Sequence, residues 1–112
     1  MRFGPLPGNV AAYRLTPSRA EQRLRQAAAT SSRVILGAHA RARMREREID
    51  DGDGLRVLRT GILVGAPEPA AQGEWKCKMA QRGNGGRDIG VVVIILRTGR
   101  LFVRTVEWED IK

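Results

Sequence analysis

The stretch DIGVVVIIL, residues 88–96, is apolar on both faces that a strand would present, and nothing else in the chain constrains the fold as tightly. Such a strand has to be central in a sheet, with neighbours on both edges. It is no membrane span. Its apolar part, GVVVIIL, residues 90–96, is the longest apolar run in the chain and falls far below the roughly 20 residues needed to cross a bilayer. Two flanking segments supply the neighbours. In EWKCKMAQR, residues 74–82, Trp75, Cys77 and Met79 alternate with Lys76 and Lys78, which predicts one apolar and one basic face. LFVRTVEW, residues 101–108, follows the turn RTGR. Alternation puts Phe102, Val106 and Trp108 on one side with Arg104 between them, and Leu101, Val103 and Thr105 on the other. RGNGGRD, residues 82–88, reads as a turn, so the three strands are expected to be antiparallel.

The cover has to come from upstream. HARARMRERE, residues 39–48, sets arginines at every second position, as a strand with one basic face would. It contains no β-branched residue, Gly or Pro, however, and consists of strong helix formers. As a helix turning about 100° per residue, it separates Arg41 and Arg45 from a second row, His39, Arg43 and Arg47, which runs beside the apolar Ala40 and Met44. Arg43 and Glu46 also have the spacing of an ordinary surface ion pair, worth about a few tenths of a kcal/mol. Downstream, Asp50 or Asp51 can cap a second short helix carrying Leu55, Leu58 and Ile62, with Gly61 as its stop. Upstream, RVIL, residues 33–36, is a short strand ended by Gly37.

Before that strand, a helix is expected over residues 18–29, with Ser18 and Glu21 at capping-box spacing and Pro17 suited to the start. Its apolar face, Ala20, Leu24, Ala27 and Ala28, is thin, which predicts weak packing or ordering against a partner. The first 16 residues have no period and read as an irregular arm. The expected whole is an α+β domain over residues 33–112, an antiparallel sheet of about four strands with two short helices packed on one face, preceded by the arm and helix of residues 1–32. The sheet face that the helices do not need is left to carry polar side chains and bind a ligand.

A chain of 112 residues suits one domain with a modest core. Its single cysteine, Cys77, excludes an internal disulfide and a Cys-rich zinc site, and fits a reducing cytoplasm. Within its apolar alternation it reads as a small buried hydrophobe rather than a nucleophile. The net charge of +8 is unevenly spread: residues 1–45 hold nine arginines and one acid, Glu21, whereas the remainder holds eleven basic and eleven acidic residues. A field so one-sided suits a polyanion such as RNA or DNA, or an acidic protein partner.

Most catalytic chemistries fall away. There is no Walker loop, dinucleotide glycine motif or serine triad, and one histidine cannot make a zinc site with spaced partners. DDGDG, residues 50–54, lacks the third spaced oxygen and the distal glutamate of a calcium loop, and reads as a helix cap. Neither a metal nor a cofactor is expected. The remaining set, a lone histidine, arginines and two lysines on one strand face, suits metal-free cleavage of RNA, in which the 2′-hydroxyl attacks the neighbouring phosphate. The protein then needs a base, cations for the developing phosphorane and an acid for the leaving 5′-oxygen. His39 could serve as base or acid, and Arg43, Arg47 or Arg104 could hold the phosphate. A lone histidine is more often structural, so a binding module without chemistry stays open beside this, as does a scaffold whose arginines are only solvated charge.

The run HARARMRERE followed by ID, then LRVLRTG, GEWKCK and LFVRTVEWED, resembles a bacterial family of unknown function with an H-A-x-x-R-M-x-x-R motif ahead of a short helix and a T-V-x-W-like final strand. That family is similar to the RelE/ParE superfamily of toxins, small basic proteins with helices packed on an antiparallel sheet. The resemblance covers about residues 33–110. It implies a toxin of a toxin–antitoxin module, a metal-independent endoribonuclease acting on mRNA in the cytoplasm, with RNA, a cognate antitoxin and the ribosome as partners and no membrane. The motif carries His39, Arg43 and Arg47 as catalytic residues. Lys76, Lys78 and Arg104 are placed by analogy with basic residues on the sheets of ribonucleases of that superfamily, and Arg41 joins them as a substrate-binding candidate. Some ParE-like members act on DNA gyrase instead. The alternative is therefore a non-catalytic basic module acting on nucleic acid, gyrase or a partner protein.

Overall fold

Caps and glycines divide the chain into its elements. The structure, a computed structural model, describes residues 14–82 and 86–109; most of the expected arm and the centre of the RGNGGRD turn lie outside the described residues. Thr16 caps the first helix, α1 (Pro17–Ala28), its hydroxyl accepting from the Arg19 N–H at 3.3 Å, with Pro17 in the first turn. The capping pair expected at Ser18 and Glu21 does not form. The cap sits two residues earlier, and Glu21 accepts instead from the Leu63 N–H at 2.7 Å. Strand β1 (Val34–Leu36) precedes α2 (Ala38–Arg47) and α3 (Asp51–Thr60). Asp50 caps α3, accepting from the Asp53 N–H at 2.8 Å. Gly61 ends it in an extended conformation, at a position where a Cβ would lie 2.5 Å from the Val57 carbonyl oxygen and 2.7 Å from that of Ala80. Ile62, expected as an apolar position of that helix, falls beyond this stop: it opens β2 (Ile62–Leu63) and is exposed. Strands β3 (Glu68–Pro69), β4 (Trp75–Arg82), β5 (Asp88–Ile95) and β6 (Leu101–Trp108) follow.

Among the described residues the result is a mixed α+β fold, three α-helices against a six-stranded, partly antiparallel open sheet. The order is β1-β6-β5-β4-β2, with β3 also pairing with β4. As expected, β5 is central and antiparallel to both β4 and β6. β1 runs parallel to β6, setting Val34 beside Leu101 and Leu36 beside Val103. α2 lies over β6, α3 over β4 and β5, and α1 against α3. Leu24, Met44, Val57 and Leu58 from the helices meet Cys77, Met79, Val91, Val93, Val103 and Val106 from the sheet in one core. Burial pushes the Cys77 thiol up to about 11, as befits a side chain packed like a hydrophobe.

Two expectations change here. The thin face of α1 is not weakly packed: Ala20, Leu24, Ala27 and Ala28 are all buried in that same core. The alanines let the helix lie close to α3, and polar bonds fix it. Arg59 donates to the Ala28 carbonyl at 2.7 Å, and Arg25 to the Gly61 carbonyl at 2.7 Å. In β6 the alternation is broken by a bulge. Val92 pairs with Thr105 and Val93 with Val103, which leaves Arg104 without a register partner. Leu101 and Val103, then Val106 and Trp108, face the helices, while Phe102, Thr105 and Glu107 take the other face. Phe102 is therefore not grouped with Val106 and Trp108.

Charged side chains close the sheet edges. Glu21 takes the outward N–H of β2 at Leu63. β1 reaches only Leu101–Val103 of β6, and beyond it Arg47 donates to the Val106 carbonyl at 3.4 Å. Among the described residues, no helix is long and apolar enough to cross a membrane.

Replacing Leu24, which is fully buried, tests whether α1 is integral: Leu24→Ala is expected to cost about 2–5 kcal/mol in urea denaturation. A loss of about 0.5 kcal/mol or less, the size of a surface substitution, would mark the helix as an appendage.

Candidate functional site

Ala40 and Met44 anchor α2 in the core, and their burial fixes where the basic rows point. His39 stands exposed in the first turn. One turn on, half-buried Arg43 donates to Glu46 at 2.8 Å, the ion pair that its spacing predicted. Arg47, also half-buried, is built into the edge of β6. Its guanidinium takes the Val106 carbonyl, its own carbonyl accepts from the Trp108 indole N–H at 3.1 Å, and the Trp108 ring lies 4.2 Å beneath the Arg87 guanidinium. The indole thus locks the end of α2 onto the sheet. Arg41 and Arg45 lie exposed on the other row. They line a hollow of about 480 Å³ together with Met44, Ile49, Asp50, Asp51 and Gly52, so two carboxylates share its wall.

The lysines occupy a different surface. Trp75, Cys77 and Met79 take the helix-covered face of β4, and Lys76 and Lys78 alternate onto the opposite one. There they meet acids: Lys76 lies 3.8 Å from Glu68, and Lys78 lies 2.8 Å from Glu109 and 3.6 Å from Glu107. The hydrogen bond to Glu109 holds the Lys78 ammonium above its ordinary range against the opposing pull of partial burial, with the charges of Glu109 and Glu107 in support. Lys78 therefore stays cationic, but its charge is already answered. Beneath the cluster lies Gly90, where a Cβ would collide with the Glu109 carboxylate.

Among the seven candidates, His39, Arg41, Arg43 and Arg47 share α2, while Lys76 and Lys78 lie across the sheet from them. Arg104, the inserted residue of the bulge, is exposed and has no hydrogen-bond or ion-pair partner among the described residues. The structure thus divides the candidates between two surfaces. Glu107, Glu109 and Gly90 had no sequence signal, because Lys78 meets Glu107 only across β5 and only after the bulge has reversed the phase of β6. Among the described residues, no group of His, Cys, Asp and Glu could hold a metal ion.

A family model described as a domain of unknown function, DUF4258, matches residues 36–108. That span runs from the end of β1 to the end of β6, holds all seven candidates and leaves α1 outside. No curated protein and no solved structure matches the chain.

The fit of Glu109 over Gly90 is open to a double-mutant cycle. Gly90→Ala is expected to cost about 1–3 kcal/mol by overpacking, and much of that loss should vanish in a Glu109→Ala background, as urea denaturation would read. Equal losses in both backgrounds would mean that the carboxylate does not rest there.

Proposed function

This chain belongs to the DUF4258 family, whose function is unknown, and we propose that it is a basic module that holds RNA against its helix layer. The observation that carries this reading is how the cations are used. Of the described arginines whose side chains have no hydrogen-bond or ion-pair partner among the described residues, Arg19, Arg23, Arg33, Arg41 and Arg45 lie on α1, on α2 or between them, Arg14 precedes α1, and Arg97 and Arg104 lie in the β5–β6 turn and in β6. Across the sheet, Lys76 and Lys78 are matched by glutamates. Among the described residues, the five guanidinium groups on α1, on α2 and between them give the helical side a positive field. Guanidinium groups without partners suit the planar, bidentate contacts that phosphates accept.

A second reading, the metal-independent endoribonuclease toxin of RelE/ParE type, is favoured by one observation: His39 is exposed on α2 one turn before Arg43. In that reading, His39 takes the 2′-hydroxyl proton and Arg43 meets the charge on the phosphorane. Arg43 could leave Glu46 cheaply, since an exposed pair is worth about 0–1 kcal/mol. Arg47 could not leave so easily, because its release strips the Val106 carbonyl at a sheet edge. Lys76 and Lys78 lie too far round the sheet to touch the same phosphate, so this reading reduces the active residues to His39 and Arg43. A cognate antitoxin with an acidic segment would then cover the helix layer.

Incubating the full chain with labelled RNA in EDTA separates the two. The expected result is binding that weakens with salt, the slope of log affinity against log salt steepening by about 0.7 per phosphate held, without cleavage. Cleavage lost in His39→Ala would replace the first reading with the second. Neither binding nor cleavage would overturn both.

A further inference from the structure

We infer that the cleft between the end of α1 and the β5–β6 turn binds a phosphate group of an RNA strand, an assignment that rests on the RNA-binding reading above. The cleft, about 140 Å³, is lined by Arg23, Gln26, Ala27, Arg33, Ile95 and Gly99. An engineered cavity of roughly that size takes up benzene, so there is room for one phosphate group.

Its chemistry sets it apart. Three larger hollows each mix cations with carboxylates: Arg25 with Glu21, Arg41 and Arg45 with Asp50 and Asp51, and Lys76 and Lys78 with Glu68. Here the polar lining residues are Arg23, Gln26 and Arg33, with no acidic residue among them. Neither Arg23 nor Arg33 has a side-chain hydrogen bond or ion pair among the described residues. Two cationic residues lining one small cleft without an acidic partner favour an anion between them.

The surrounding backbone is fixed before any ligand arrives. Arg100 donates to the Ser32 carbonyl at 3.4 Å, Arg59 to the Ser31 hydroxyl at 3.0 Å, and the Arg33 N–H to the Thr30 carbonyl at 2.9 Å. The end of α1 carries partial negative charge, which would oppose an anion. That charge is damped, since the carbonyls of Arg25, Ala27 and Ala28 already accept from Ala29, Thr30 and Arg59. Arg23 and Arg33 precede the matched span of residues 36–108, whereas Ile95 and Gly99, on the opposite wall, fall within it.

Two measurements on the full chain test the site. In the first, inorganic phosphate is titrated while the arginine Nε–Hε resonances are followed by NMR. Saturable shifts at Arg23 and Arg33, but not at Arg82, are expected, and their absence would overturn the site. In the second, fluorescence anisotropy with a 2′-O-methyl oligonucleotide, which cannot be cleaved at that hydroxyl, compares Arg23→Gln/Arg33→Gln with the charge-matched Arg56→Gln/Arg82→Gln. The first pair is expected to lose about tenfold more affinity than the second and to flatten the salt slope by about 0.7. Equal losses would mean that net charge alone acts, and would overturn the site. Phosphate-dependent shifts in a chain that ignores the oligonucleotide would overturn the RNA reading and the strand assignment, leaving a site for free phosphate. Thermal unfolding of each variant checks folding, and the phosphate titration needs no variant at all.

Discussion

A strand with no polar face must be covered on both sides, and the rest of this molecule is arranged around that requirement of β5. On one side the helices bury Ile89, Val91 and Val93 completely. On the other, cover comes from the neighbouring strands. Ile94 is flanked by Phe102 and Lys76, and Val92 by Thr105 and Lys78. A lysine stem is a good lid for an apolar neighbour, provided its ammonium has somewhere to go. Glu68, Glu107 and Glu109 supply that destination. On the face expected to bind a ligand, Lys76 and Lys78 thus have acidic partners, and with Glu68 they line a hollow of about 290 Å³.

The arginines divide in the same way. Arg25, Arg47 and Arg59 donate to main-chain carbonyls at a helix stop, a sheet edge and a helix end, positions where a carbonyl would otherwise lack a partner. A long side chain with a planar fork of donors suits this bridging between elements. Basic composition therefore overstates the surface left for a polyanion. What matters is which guanidinium groups have no such duty, and those concentrate on α1, α2 and the segment between them.

Much of the fold was legible because it follows from local pattern. The two-sided apolar run located β5, the alternation of Trp75, Cys77 and Met79 with lysines oriented β4, and Asp50 and Gly61 bounded α3. What escaped depends on pairing. The parallel seat of β1 beside β6 joins distant segments, β2 and β3 are too short to show a period, and a single inserted residue, Arg104, reverses the phase of half a strand. The burial of α1 escaped because four small or medium side chains look like a poor face until the close approach of α3 is known. Of the candidate site, the histidine row was legible from helical spacing. Its partners were not, since Val106, Trp108 and Glu109 reach it or the lysines only through tertiary contacts.

The place of β6 has a consequence during synthesis. Among the described residues β1 pairs with β6 alone, and α2 packs mainly upon β6, yet β6 is the last of the described elements to be made. Until residues 101–108 clear the exit tunnel, Val34, Leu36, Ala40 and Met44 lack the strand that covers them in the fold. The folding of β1 and α2 therefore waits on distant contacts rather than local ones. A chain truncated before Leu101 would be prey for proteases rather than a smaller folded protein.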